Sequence, residues 1–201
     1  MKKGLILKIA NLFTFLRILI IPFFSFIYIY KELLGIKYDI IYYILIIILM
    51  ICEITDLIDG FLARKRNEVT DFGKIFDPMA DSIVKLVVLF TFTYPPVKLP
   101  LMLIFVFLYR EIIISSLRTI CAIKGVALAA RKSGKIKSTI QAFVNFFILF
   151  FLLLYTYEIF NLYLLHLLSV IFVSIAAVYN GFSGIEYLYV NRAFIKKVLK
   201  Y

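Results

Sequence analysis

Six long apolar stretches, separated by short segments rich in charge, constrain this chain more than any other feature. A helix of about 20 apolar residues spans the roughly 30 Å hydrocarbon core of a bilayer. With 64% hydrophobic residues and a mean hydropathy of +1.01, the chain is too apolar for a soluble domain. The sequence predicts one all-α integral membrane domain, residues 1–201, with an N-terminal amphipathic juxtamembrane segment at 2–10. Its six transmembrane helices are predicted at about 12–30, 38–58, 73–94, 99–123, 135–157 and 162–189.

The net charge of +11 is unevenly distributed along the chain. Most lysines and arginines fall near the two termini, between the second and third apolar stretches, and between the fourth and fifth. Cytosolic loops of membrane proteins carry an excess of these residues. Both termini and the site described below are therefore expected on the cytosolic side of the cell membrane. The charge reports topology and attraction to lipid headgroups, and not a nucleic-acid surface.

Two pairs of aspartates lie at the ends of neighbouring apolar stretches. Asp56 and Asp59 are three residues apart, and Asp77 and Asp81 are four apart, so each pair shares one face of a helix. Four carboxylates in a small volume repel one another unless cations neutralise them, and oxygen-only ligands suit Mg²⁺ or Mn²⁺. Two such ions can hold a diphosphate for displacement at phosphorus. The alternative is that the aspartates only mark solvated helix ends, but two same-face pairs favour a metal site.

The segment DLIDGFLARKRNEVTDFGKIFDPMAD resembles the signature of the CDP-alcohol phosphatidyltransferases, D-x2-D-G-x2-A-R-x8-G-x3-D-x3-D. The resemblance implies two divalent cations on the CDP diphosphate, and Asp81 as the general base for the acceptor alcohol. It also implies a reaction that exchanges CMP for an alcohol on a phosphatidyl group, with Gly60 letting the nucleotide approach the backbone. By this resemblance the metal ligands are Asp56, Asp59, Asp77 and Asp81, and the substrate-binding residues include Gly60, Ala63, Arg64 and Gly73.

Polar residues recur every three positions in the first apolar stretch, at Asn11, Thr14 and Arg17. Arg17 lies one or two turns into the predicted span, where a charge needs a partner or a water-filled cavity unless it snorkels to the headgroups. Members of the same family carry a similar Asn-x-x-Thr-x-x-Arg segment, which implies that Thr14 and Arg17 bind substrate. There a proline usually precedes the segment, and Ala10 replaces it here.

Charges in the middle of the fourth apolar stretch are costly in a membrane and therefore indicate function. Arg110 and Glu111 lie there, and Arg118 shares a face with Glu111. Lys135 and Lys137 begin the fifth stretch. Such cations, aimed at the aspartates, would bind a phosphate monoester, whose oxygens a guanidinium matches bidentately. The alternative is an internal Arg110–Glu111 or Glu111–Arg118 ion pair that only holds helices together.

These residues resemble the R-E-x5-L-R … G-K-x-K-T segment of one branch of the family, the bacterial phosphatidylglycerophosphate synthases. The branch implies CDP-diacylglycerol and sn-glycerol 3-phosphate as substrates, and phosphatidylglycerophosphate and CMP as products. It implies that Arg110, Arg118, Lys135 and Lys137 bind the acceptor phosphate. By analogy, it also implies a homodimer.

Two other functions stay open at this point. A cluster of cations reports a phosphate and not its carrier, so the acceptor could be inositol phosphate or another phosphorylated polyol. The aspartates could instead line the path of a divalent-cation transporter, although the arginines and lysines would then repel the permeant ion. Cys52, Cys121 and His166 lack metal-ligand spacing and are predicted to be buried or interfacial.

Overall fold

The computed structural model describes a chain that is all-helical within the described residues, as the hydropathy predicts. The backbone is described over residues 2–65, 71–123 and 132–199, and the side chains over 14–58, 76–121, 123 and 132–195. The helices are α1 Lys2–Ile29, α2 Tyr38–Lys65, α3 Asp71–Thr91, α4 Leu101–Ile123, α5 Lys132–Thr156, α6 Leu162–Val190 and α7 Arg192–Leu199.

The two ends of the chain differ from the prediction. Residues 2–10, predicted as a separate juxtamembrane segment, continue into the first helix without a break. No glycine or proline lies between residues 5 and 21, so nothing in the sequence stops the helix from propagating. The basic tail, for which no structure is predicted, forms the short helix α7 after a C-cap at Asn191.

Three of the described helices are long and apolar enough to cross a membrane, namely Tyr38–Ile58, Lys132–Thr156 and Leu162–Val190. The described apolar part of α1, Thr14–Ile29, is shorter. α4 is not among these three, because Arg110, Glu111 and Arg118 give its 23 residues three charges. The chain is therefore membrane-integral. Helix α4, which is too highly charged to be counted among these three, bears residues of the candidate site.

Helix α3 lies at the centre of the bundle, because it contacts α1, α2, α4 and α5. α1 also packs on α2, and α6 packs on α4 and α5. In the core, Phe24 and Tyr28 of α1 meet the ring of Phe92 edge-on, with centroids 6.1 and 5.6 Å apart. This packing surrounds Asp77 and Asp81, in the first half of α3, with neighbouring helices.

The turn that follows α3 makes hydrogen bonds with two other parts of the chain, at the end of the bundle away from the aspartates. Lys31, just after α1, donates to the carbonyl oxygens of Pro95 at 2.8 Å and Tyr28 at 3.2 Å. His166 Nε2 of α6 lies 2.6 Å from the carbonyl oxygen of Pro96. These contacts join α1, α3 and α6 at the end of α3 that lies away from the aspartates.

Candidate active site

Two side chains of α1 contact two of the predicted metal ligands. Arg17 Nη1 lies 2.5 Å from Asp56 Oδ1 on α2. Thr14 Oγ1 donates to Asp77 Oδ1 on α3 at 3.1 Å and accepts from Arg17 Nη2 at 3.5 Å. Thr14 and Arg17 are both buried. Arg17 therefore pairs with a carboxylate, and Asp56 and Asp77 converge on the same two residues of α1.

Asp81 is held at both of its carboxylate oxygens. Lys85, one turn further along α3, forms an ion pair with Oδ1, and Ser138 of α5 donates to Oδ2 at 2.7 Å. Lys85 Nζ also donates to the Ser138 hydroxyl at 2.5 Å and lies 3.7 Å from Glu53 Oε1 on α2. The Lys85 side chain is only 3% exposed, so these carboxylates neutralise a charge inside the bundle. Residues of α3 and α5 thus fix the orientation of the Asp81 carboxylate.

Glu111 is the centre of a second buried cluster, which joins three helices. Its Oε1 lies 3.0 Å from Arg110 Nη1 and forms an ion pair with Lys137 of α5. Its Oε2 accepts from Ser82 Oγ of α3 at 2.7 Å. The Arg110–Glu111 ion pair, which the sequence offers as the alternative to a phosphate site, is therefore present. Ser82 is next to Asp81 on α3, and Lys137 is next to Ser138 on α5, so the cluster of Arg110, Glu111 and Lys137 is joined to the same two helices that hold the Asp81 carboxylate.

The other two predicted phosphate-binding cations, Arg118 and Lys135, make no ion pair with Glu111 among the described contacts. Arg118 Nε donates to the hydroxyl of Tyr187 on α6 at 3.3 Å, and its guanidinium carbon lies 5.3 Å from the centre of that ring. Arg118 is eight residues beyond Arg110, or about 12 Å along α4. Lys135 is exposed in the first turn of α5. The structure therefore brings Arg110 and Lys137 together, places Arg118 against Tyr187, and leaves the Lys135 side chain exposed.

The remaining predicted residues lie in helices, but their side chains are not among those that the structure describes. Helix α2 continues through Asp59, Gly60, Ala63 and Arg64, and helix α3 includes Gly73. The predicted roles of Asp59, Gly60, Ala63, Arg64 and Gly73 stay predictions.

Comparison with known proteins decides the class to which this arrangement belongs. Residues 7–179 match the family model of the CDP-alcohol phosphatidyltransferases. The chain belongs to this family. It is accordingly a transferase, and the resemblance of the aspartate segment is confirmed.

Relatives of this transferase include proteins from three bacteria. The one from Rickettsia typhi is 33% identical over 138 residues, which is 68% of this chain and 72% of the relative. The one from Escherichia coli is 35% identical over 140 residues, with 67% and 72% covered. The one from Bacillus subtilis is 38% identical over 98 residues, with 47% and 49% covered. All three are named CDP-diacylglycerol–glycerol-3-phosphate 3-phosphatidyltransferase.

CDP-alcohol phosphatidyltransferases use divalent metal ions, and the donor chemistry of this site fits such ions. Asp56 and Asp77 present carboxylate oxygens from two helices toward Thr14 and Arg17, and hard cations prefer oxygen ligands. Among the described side chains no three acidic, histidine or cysteine residues are close enough to form a metal-binding group. Asp59, the fourth predicted ligand, is not among those side chains.

Several residues of the transferase site were missed by sequence reasoning. Glu53 lies one helical turn before Asp56, so the spacing that selected the aspartates also selects it. Ser138 follows directly after Lys137, but a serine carries no charge and gives no comparable signal. Ser82 and Tyr187 offer no signal, since only the packing of α3 and α6 against α4 brings them to Glu111 and Arg118.

Proposed function

We propose that this transferase moves the phosphatidyl group of CDP-diacylglycerol to sn-glycerol 3-phosphate, giving phosphatidylglycerophosphate and CMP. The observation that carries the proposal is the buried cluster of Arg110, Glu111 and Lys137, which contacts the residue next to Asp81. An acceptor with its own phosphate needs cations beside the reacting carboxylate, whereas free inositol, choline or ethanolamine does not. The names of the three relatives agree with this acceptor.

Arg110 provides the principal contact to the acceptor phosphate in this proposal. Glu111 occupies its Nη1, and its Nη2 lies close to Gly134 in the first turn of α5. The first turn of a helix has backbone N–H groups without intrahelical partners, and these favour an anion. Lys137 adds positive charge from the same helix. Exposed Lys135 and half-buried Arg118 attract the anion on its way in.

Asp81 acts as the general base. The 1-hydroxyl of glycerol 3-phosphate gives its proton to an Asp81 oxygen while the hydroxyl oxygen attacks the β-phosphorus of CDP-diacylglycerol. The bond from that phosphorus to the bridging oxygen breaks, and CMP leaves with the electron pair. Lys85 and Ser138 each hold one Asp81 oxygen, and each oxygen keeps a second lone pair for the proton.

The four aspartates of the motif, Asp56, Asp59, Asp77 and Asp81, would hold two divalent cations, Mg²⁺ or Mn²⁺. When bound, such ions neutralise the diphosphate and the negative charge that develops on the departing CMP. The nucleotide half of the donor would lie against residues predicted from the family motif. These are Thr14, Arg17, Gly60, Ala63, Arg64 and Gly73.

The proposal includes a topology of six spans, with both termini and the site on the cytosolic side. It rests on the positive-inside distribution of lysine and arginine and on the apolar character of the six helices from α1 to α6. A homodimer is expected from the family resemblance. Labelling of single cysteines at the two termini in sealed vesicles, with crosslinking of the purified protein, tests both statements.

The test of the reaction is CMP release by purified protein in detergent with CDP-diacylglycerol as donor. Glycerol 3-phosphate, inositol phosphate and free glycerol are supplied separately, each with Mg²⁺ and again with excess EDTA. We expect release only with glycerol 3-phosphate and only when the metal is present. Release with inositol phosphate alone would replace the proposed acceptor. Metal uptake by liposomes without any CMP release would replace the enzyme with a transporter.

A further inference from the structure

The side chain of Arg110 reaches its position by passing directly over the backbone of α6. A methyl group on Gly184 would lie 2.9 Å from Cγ of Arg110, which is closer than carbon atoms can approach, and 3.9 Å from its Cβ. At the other end, a methyl group on Gly134 of α5 would lie 3.8 Å from Nη2, an ordinary contact. The Arg110 side chain therefore extends from α6 to the first turn of α5. Its aliphatic stem leaves no room for a side chain at residue 184, whereas its guanidinium leaves room for a methyl group at residue 134.

The surroundings of Arg110 offer another place for its side chain. A groove between α4 and α6 is lined by Arg110 together with apolar residues of both helices. Gly184 lines this groove as well, so a β-carbon at residue 184 would lie against the Arg110 stem at the edge of the groove. Rotation about the first bonds of Arg110 would relieve the conflict and would move the guanidinium from its contact with Glu111. The other residues of the groove are Ile113, Ile114, Gly181, Gly184, Ile185 and Leu188.

We propose that Gly184 is a positioning residue for the acceptor site: the absence of a side chain there directs Arg110 toward Glu111 and the first turn of α5. This inference rests on the proposed function, because it assigns Arg110 to the acceptor phosphate. It adds a residue on α6 to that function, although neither the aspartate motif nor the cationic segment includes any residue of α6. Specificity for a phosphorylated acceptor then depends on a glycine that touches neither substrate.

Gly184 could instead serve only to let α4 and α6 pack closely, as small residues do between membrane helices. The two roles differ in what a methyl group changes. A packing role lowers stability and affects both substrates alike. A positioning role raises the KM for the acceptor alone, and its effect disappears when Arg110 is absent.

The experiment compares Gly184→Ala with Gly181→Ala in the purified full-length protein. Both variants add one methyl group to α6, and nothing lies within 4 Å of the methyl position at Gly181. Arg110→Ala and the double variant Arg110→Ala/Gly184→Ala complete a cycle. For each protein, CMP release is measured against glycerol 3-phosphate at saturating CDP-diacylglycerol and then the reverse, together with thermal unfolding in detergent.

We expect Gly184→Ala to raise the KM for glycerol 3-phosphate about tenfold or more, the loss expected for a displaced charged hydrogen bond. The KM for CDP-diacylglycerol and all values of Gly181→Ala should stay within about twofold of wild type, a change below 0.5 kcal/mol. In the double variant the KM should match that of Arg110→Ala. If Gly184→Ala does not fold, the double variant should fold, because Arg110→Ala removes the Cγ atom in conflict.

Gly184→Ala that behaves like Gly181→Ala, or that adds its full effect to Arg110→Ala, overturns the inference. A double variant that misfolds along with Gly184→Ala overturns it as well. The failure of the proposed function is seen separately, because wild-type protein would then release no CMP with glycerol 3-phosphate, and this result removes both proposals.

Discussion

Replacement of Glu111 by glutamine tests whether this residue balances two cations inside the bundle. The Glu111 side chain is 13% exposed, and those of Arg110 and Lys137 are 10% and 4% exposed. Glutamine keeps the size of the side chain and can still accept the hydrogen bond from Ser82, so the change removes little besides the negative charge. Loss of one partner from a buried ion pair costs about 3–5 kcal/mol, because the other charge stays desolvated.

The expected result of Glu111→Gln is a fall in the unfolding temperature of at least about 6 °C, at about 2 °C per kcal/mol for a chain of this size. Glycerol 3-phosphate should raise that temperature more in the variant than in wild type, because the ligand then supplies the missing negative charge. The measurement is thermal unfolding in detergent, with and without the ligand. Glu158→Gln makes the same chemical change at an exposed turn residue and serves as the control.

Glu111→Gln that unfolds within about 1 °C of wild type would refute the reasoning. That result would mean that Arg110 and Lys137 are solvated or compensated by other groups, and that Glu111 is not the counter-charge of the cluster. Equal stabilisation of both proteins by glycerol 3-phosphate would refute the second step, in which the ligand replaces the carboxylate.

Substitutions at three further residues test single side chains of the site. Asp81→Asn should abolish CMP release while the protein remains folded and inserted, as judged by gel filtration; turnover like that of wild type would remove Asp81 as the base. Ser138→Ala should lower kcat about tenfold, since one oxygen of Asp81 loses a hydrogen bond to a charged group, and Ser138→Thr should restore it; equal kcat in both variants would contradict this role. Arg118→Ala should raise the KM for glycerol 3-phosphate and leave that for CDP-diacylglycerol unchanged, and the reverse pattern would assign Arg118 to the donor.

The sequence predicts those parts of the fold and site that depend on neighbours along the chain. The hydropathy locates α2 from its first residue, Tyr38, but the predicted span stops at residue 58, whereas the helix continues to Lys65. The reason is that hydropathy reports the membrane-embedded part, and α2 extends past it. The pairing of Lys85 with Asp81 follows from their spacing of four residues on one helix.

Contacts between helices could not be predicted in the same way. The sequence shows that Arg17 needs a partner but not that Asp56 is that partner, because the choice depends on how α1 packs on α2. Ser138 gives no sign in the sequence that it contacts Asp81, 57 residues earlier in the chain. The passage of Arg110 over Gly184 is likewise a property of the α4–α6 interface.

The carbonyl oxygens of Pro95 and Pro96 have a consequence for movement within the bundle. They accept hydrogen bonds from Lys31, which follows α1, and from His166 of α6. Because Pro95 and Pro96 follow α3, these three helices share one pivot. Rotation about a pivot displaces atoms in proportion to their distance from it. Any separation of these helices that admits the proposed two-tailed donor would therefore open widest near the carboxylates and least near the turn of Pro95 and Pro96.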